Sequence, residues 1–171
     1  MKPGTRERYS LRMMVEIARQ SDADCPINLQ DVSMLTGISR GYLEQLAMGL
    51  RKAKLLSGRP GRNGGQYLAR EPNEIRVRDV FEAATGTVEL VRCVDDPSAC
   101  ARSPHCHCRM LWTLLTLRIR RVLDDYTLAD LADPEWLRAA VEEERRQVEA
   151  GRSAAPARRR SKARKPIKED R

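Results

Sequence analysis

The sequence is short of the side chains from which most catalytic sites are built. It has 2 His, both inside a cysteine-rich stretch, and no Gly-x-Ser-x-Gly, P-loop or dinucleotide fingerprint. No enzymatic constellation is left, so the expectation is that the chain is not an enzyme. Aromatic residues are also scarce: 1 Phe, 4 Tyr and 2 Trp. The core must therefore rest on Leu, Ile, Val, Met and Ala. No apolar run approaches the ~18 residues that a membrane span requires. The start, Met1 to Arg8, is polar and leads into an amphipathic stretch, unlike a signal peptide. A cytoplasmic, bacterial protein with no membrane partner is expected. No internal repeat is visible.

Charge is plentiful and unevenly placed. The 171 residues hold 32 Lys or Arg against 24 Asp or Glu, for a net charge of +8. That balance favours polyanion partners, nucleic acid first. Residues 1–70 carry +6, residues 71–151 carry −5 and residues 152–171 carry +7. The last segment is low-complexity, basic and without an apolar face, the composition of a disordered tail.

The spacing predicts a mainly α protein. Tyr9, Met13 and Ile17, with Leu11, Met14, Val15 and Ala18 beside them, give a helix over 6–20. Leu29 to Thr36 is a second, short helix. Gly37 sits where a left-handed residue is wanted, and Ser39 is a good N-cap for a third helix over 40–54. Two apolar segments then flank the Gly/Pro/Asn-rich tip between Leu55 and Ala69, a hairpin signature. A fourth helix covers 77–84. A helix from Met110 to Asp124 is apolar around much of its surface and wants burial on more than one side. Thr127 to Asp130 starts a further turn. Asp133-Pro134 opens a last helix that Gly151 ends. The expected organisation is a winged helix-turn-helix DNA-binding domain with a small β-hairpin wing at 1–84 and a cysteine-rich loop at 85–109. A long helix with its following turn occupies 110–132, a C-terminal helix 133–151 and the basic tail 152–171.

The third helix packs one face on the first two. Its other face is expected to present Ser39, Arg40, Tyr42, Glu44 and Gln45 to double-stranded DNA. Arg and Gln can pair with base edges, and a Glu can accept from cytosine. Arg59 and Arg62 on the hairpin tip suit a narrow minor groove. A carboxylate facing DNA costs affinity unless it has a specific task, so Glu44 opposes this reading slightly.

The second constellation is Cys93-x6-Cys100-x5-Cys106-x-Cys108, with His105 and His107 interleaved. Five thiols without a secretory signal suit a reducing compartment, where clustered thiols bind metal or do redox work. The segment is rich in Asp, Pro, Ser and Arg rather than apolar residues, so buried structural cysteines are a poor account of it. Arg92, Arg102 and Arg109 are placed to favour thiolates. Mononuclear zinc is a further option, although the wide gaps lack the usual C-x2–4-C knuckle. Cys25, before Pro26, reads as incidental.

Taken together, five stretches resemble the iron–sulfur cluster regulator family of winged-helix transcription factors, of the IscR/NsrR type. They are Arg8 to Met14, Ile38 to Leu46, Leu55 to Leu68, the Cys93…Cys100…Cys106 triplet followed by Leu111-Trp112, and Tyr126 to Leu131. The resemblance covers about residues 2–132. It implies a homodimer whose long helix crosses its partner on a pseudo-palindromic operator. It further implies a [2Fe–2S] or [4Fe–4S] cluster on Cys93, Cys100 and Cys106, and repression tuned by iron, redox state or nitric oxide. By the same resemblance Glu44 discriminates between operator types. The expected mechanism is a population shift in which cluster binding orders residues 93–108. A coupling of about 1–3 kcal/mol would switch occupancy.

One departure stands out. Where the best-known branch has a His three residues after the third cysteine, this chain has Arg109, which cannot ligate iron. Cys108 and, as the resemblance to related regulators implies, a carboxylate near the first helix of the partner subunit such as Glu7 are the leading candidates for a fourth ligand, with His105 and His107 behind them. Two alternatives accompany the cluster reading: a thiol-based redox regulator of the same fold, and an iron–sulfur electron-transfer or carrier protein.

Overall fold

The computed structural model describes residues 3–20, 25–61 and 63–154. Arg62 and the basic tail beyond Ala154 lie outside the described residues. The chain divides after Pro134 into two units. The first is built from helices α1 (Thr5–Gln20), α2 (Leu29–Thr36) and α3 (Arg40–Lys52). Strands β1 (Leu56–Arg59) and β2 (Gly65–Leu68) follow, and then α4 (Val77–Thr85), α5 (His107–Asp125) and α6 (Leu128–Ala132). The second holds α7 (Pro134–Ala154).

The core forms where the apolar stripes of α1 to α4 meet. Met13, Met14 and Ile17 of α1 are buried against Val32 of α2 and against Leu43, Leu46, Ala47 and Leu50 of α3. Val80 of α4 and Leu128 of α6 close it. This is the core that the helical spacing selected, and it holds no buried aromatic side chain.

The α2–α3 turn is set by local chemistry. Asn28 caps α2: its Oδ1 accepts from the backbone N–H groups of Gln30 (2.8 Å) and Asp31 (3.0 Å). Gly37 ends the helix at φ 70°, where its N–H reaches the Ser33 carbonyl. Ser39 occupies the N-cap position of α3 but makes no side-chain capping bond there. Its carbonyl instead accepts from Tyr42 and Leu43. The predicted cap is thus one of backbone only, which leaves the exposed hydroxyl uncommitted to the helix.

Helix α3 stops at Lys52, two residues earlier than the spacing predicts. Lys54 takes a left-handed φ of 57°, and the Leu55 N–H returns to the Leu50 carbonyl at 3.0 Å. That six-to-one closure turns Leu55 into the core, where it is fully buried.

Strands β1 and β2 pair antiparallel with Leu56 opposite Leu68 and Arg59 opposite Gly65. Two helices packed as a helix-turn-helix, with this hairpin following, make the unit a winged helix. A second bridge pins the wing: Ile27 and Gln66 exchange both backbone bonds, at 3.0 and 2.7 Å.

Helix α5 begins at His107, earlier than Met110, because its first turn continues from a 3-10 turn over Ser103–His105. At its far end Val77 donates to Tyr126 and Leu128 to Ile75, each at 3.0 Å. This antiparallel bridge ties the exit of α5 to buried Ile75 and Leu128. Around α5 itself only Thr116 is buried. Met110, Leu111, Leu114 and Leu117 are exposed in the single chain, so the burial predicted for this helix is absent within one copy.

Helix α7 continues through Gly151 to Ala154, against the expectation that Gly151 ends it. Glycine inside an exposed helix costs only about 1 kcal/mol relative to alanine, too little to force a stop.

Candidate nucleic-acid interface and cysteine segment

The outward side of α3 carries Arg40, Gly41, Glu44 and Gln45, all exposed. Arg40 Nε donates to Glu44 Oε1 at 3.0 Å, with both side chains more than half exposed. Such an i,i+4 pair contributes only a few tenths of a kcal/mol, about 0.3–0.5. It is therefore easily exchanged for a phosphate or a base. While the pair is intact it balances the charge of Glu44 on the helix itself.

Tyr42 is less available than its sequence position suggests. It is half-buried against the core and meets Tyr9 edge to face, with ring centroids 6.0 Å apart. Arg12 spans the same corner, its guanidinium 6.0 Å from the Tyr9 ring and donating to the Thr36 carbonyl at 3.3 Å. Arg59 lies exposed at the end of β1, opposite Gly65. Arg62 lies outside the described residues.

Between α3, the start of α2 and the wing runs an open groove of about 570 Å³. Arg40, Glu44 and Arg51 line one side and Asn28, Gln30 and Gln66 the other. Arg51 donates to Gln66 Oε1 at 3.3 Å, joining recognition helix to wing. Arg51, Gln66, Asn28 and Gln30 did not emerge from the sequence. The signal for Arg51 was present, since positions 40, 44 and 51 share one helix face.

The cysteine segment follows α4. Cys93 is half-buried in a turn, Cys100 is exposed, Cys106 is half-buried at the N-cap position of α5, and Cys108 is exposed in its first turn. None of the five cysteines is in a disulfide. Asp96 accepts from the Ser98 hydroxyl (2.5 Å) and the Ser98 N–H (2.9 Å). These bonds, the hydroxyl's first, hold its carboxyl below the usual carboxylate range. His105, Cys106, His107, Arg109 and Ser103 line a cavity of about 360 Å³.

Three groups on one face of α5 hold the stretch 88–95. Arg109 donates to the carbonyls of Cys93 (2.6 Å) and Val94 (3.4 Å). Thr116 Oγ1 accepts from the Leu90 N–H at 3.4 Å. Arg120 donates to the Val88 carbonyl at 2.7 Å and pairs with Asp95.

Among the described residues no three His, Cys, Asp or Glu side chains converge as a single metal ion requires. A mononuclear zinc centre therefore has no assembled donor set. An iron–sulfur cluster distributes its thiolates over several irons, so it does not need that convergence. Its chemistry fits the segment on a separate observation. The Ser103 Oγ is buried and without a hydrogen-bond partner, while the Ser103 backbone joins the Cys100 carbonyl to the Cys106 N–H, at 2.9 and 3.5 Å. A buried hydroxyl without a partner, three residues along the chain from each of two cysteines, suits a sulfur acceptor. Cys108 stands two residues beyond Cys106, in the first turn of α5, while Cys106 at the N-cap position has an extended backbone. Glu7 lies elsewhere, beside α4: its Oε1 accepts from Thr85 at 3.1 Å and its Oε2 is buried without a partner.

The family described as "Rrf2: Iron-dependent Transcriptional regulator" matches residues 4–134. The chain belongs to the Rrf2 family. Protein rrf2 of Nitratidesulfovibrio vulgaris is 36% identical over 131 residues, which are 77% of this chain and 87% of that protein. The HTH-type transcriptional regulator IscR of Sodalis glossinidius is 33% identical over 142 residues, 83% of this chain and 85% of its own length. The solved structure of CymR, the global cysteine regulator of Bacillus subtilis, superposes with a TM-score of 0.63 at 32% identity. It covers 77% of this chain and 96% of CymR. As an Rrf2 protein the chain is a transcriptional regulator with a winged-helix fold, and the electron-carrier reading loses its ground. Rrf2 relatives thus include both IscR and a cysteine regulator. No helix among the described residues is long and apolar enough to cross a membrane.

Proposed function

We propose that this Rrf2 protein is a cytoplasmic, homodimeric repressor that holds an iron–sulfur cluster on Cys93, Cys100 and Cys106 and binds a pseudo-palindromic operator. The observation that carries the reading is the double attachment of α5. Arg109 and Arg120 hold the cysteine-bearing stretch on it, and its exit, through Tyr126 and Leu128, is bonded to Val77 and Ile75. A change in residues 93–106 then has a stiff path to the DNA-binding unit.

When bound, such a group supplies iron–thiolate bonds that join three separate points of the loop. The chain's own residues do the rest. Arg40, Gln45 and Ser39 face the base edges, Arg59 and Arg62 reach the backbone or minor groove, and Glu44 competes with DNA for Arg40. Tyr42 buttresses the helix through Tyr9. Arg51 and Gln66 hold the wing at its angle to α3. The exposed Leu111, Leu114 and Leu117 of α5 form the dimer contact. Glu7, with its unpartnered oxygen, is the favoured fourth ligand over Cys108.

A second reading has its own support. Cys100 and Cys108 are exposed, free thiols, as direct oxidation sensing without a cluster would require. Anaerobic reconstitution with iron and sulfide separates the two. Visible absorption that depends on all three of Cys93, Cys100 and Cys106 is expected. A colourless protein whose DNA binding responds to peroxide would overturn the cluster reading.

A further inference from the structure

Arg109 occupies a helix position from which a side chain faces the cysteine segment, yet a guanidinium cannot ligate a metal. What it does instead is visible in its bonds. Nε donates to the Cys93 carbonyl at 2.6 Å and Nη2 to the Val94 carbonyl at 3.4 Å. One planar fork thus binds two successive peptide units, a geometry that lysine, with a point charge, cannot reproduce. Arg109 stands three residues beyond Cys106, the N-cap of α5. Cys93 and Cys106 are therefore drawn to the same helix end by one side chain, across a sequence gap that would otherwise leave them independent.

Two further contacts continue the lacing. Leu90 donates to buried Thr116, and Arg120 holds Val88 and Asp95. Positions 109, 116 and 120 share one face of α5 and cover about 16 Å of its length. The intervening stretch 97–105 is secured differently. Its backbone bonds run to near neighbours: Ala99 to Asp96, Ser103 to Cys100 and His105 to Arg102.

We propose that Arg109 is a positioning residue that fixes Cys93 against the start of α5. Residues 88–95 are then a preformed shoulder, and residues 97–105, with Cys100, are the arm that moves when the site fills or empties. The position that could have carried a ligand serves as a clamp for one. The functional meaning of this clamp rests on the cluster reading, but its existence does not.

The test is hydrogen exchange, read by mass spectrometry, on the full metal-free chain as wild type, Arg109→Ala and Arg109→Lys. Loss of a charge-assisted bond predicts exchange over 88–96 about tenfold faster in Arg109→Ala. Exchange in α1 and α3 should be unchanged, and Arg109→Lys should be intermediate. Alkylation of Cys93 should accelerate in parallel while Cys25 keeps its rate. Unchanged exchange over 88–96, or acceleration spread equally through α1 and α3, would overturn the proposal. If Arg109→Ala fails to fold, Arg109→Lys must still show faster exchange confined to 88–96. A clamped chain that takes up no iron would refute the cluster reading alone. A wild-type chain that binds iron while Arg109→Ala exchanges over 88–96 no faster than wild type would refute the clamp alone.

Discussion

Lys54 takes on a strain that glycine would escape. Its left-handed φ of 57° costs an L-residue about 1–2 kcal/mol, and the return is the burial of Leu55 behind it. Lys54→Gly should therefore raise stability by about 1 kcal/mol, read as a higher Tm, with an unchanged helical signal. A lower Tm would show that the Lys54 side chain stabilises more than its backbone costs. On the proposed DNA face, Arg40 and Arg59 should have different tasks. Arg40→Ala should relax operator preference, at about 1–3 kcal/mol for a lost base contact. Arg59→Ala should weaken operator and random DNA alike. Identical gel-shift behaviour of both variants and wild type would sink these roles. Residue identity alone suggested both arginines, and i,i+4 spacing the Arg40–Glu44 pair, whereas the Arg51–Gln66 partnership, 15 residues apart, needed the tertiary structure.

The wing shows how an element depends on contacts outside its own turn. A two-stranded hairpin is marginal by itself, and this one is held by the Ile27–Gln66 bridge. Gly65 makes the approach feasible, because a Cβ there would lie 2.4 Å from the Ile27 carbonyl oxygen. Gly65→Ala should detach the wing from the start of α2. The expected outcome is a lower Tm and weaker binding to any DNA, with α1 and α3 retaining their exchange protection. Wild-type affinity in that variant would mean that the bridge does not matter for the wing's placement. The hairpin was legible from its Gly/Pro/Asn tip, as were α1 to α4 from apolar spacing. The start of α5 was not, because a cysteine- and histidine-rich run gives no helical period. Its polar face at 109, 116 and 120 was hidden behind the more conspicuous leucines.

For the whole molecule, the division of charge remains the guide. The winged-helix half carries +6 and residues 71–151 carry −5, so the cysteine segment and α5 should stand away from the DNA. The last twenty residues carry +7. Ending the chain after Gly151 should lower affinity and flatten its salt dependence while leaving operator preference intact. Altered preference in a filter-binding series at several salt concentrations would mean that the tail reads sequence.

The division between sequence and structure follows the range of the forces. Helical periods, the Gly37 turn and the spacing of thiols are local, so the sequence by itself determined a winged helix-turn-helix followed by a cysteine-rich loop. The tertiary structure decided what those parts touch. Arg109 meets a carbonyl 16 residues away, Arg120 one 32 residues away and Arg76 one 48 residues away. Such pairings leave no periodic trace in a sequence. They arise only when packed helices fix which side chains meet, and here they turn a run of cysteines into a segment fastened to the helix that enters the DNA-binding core.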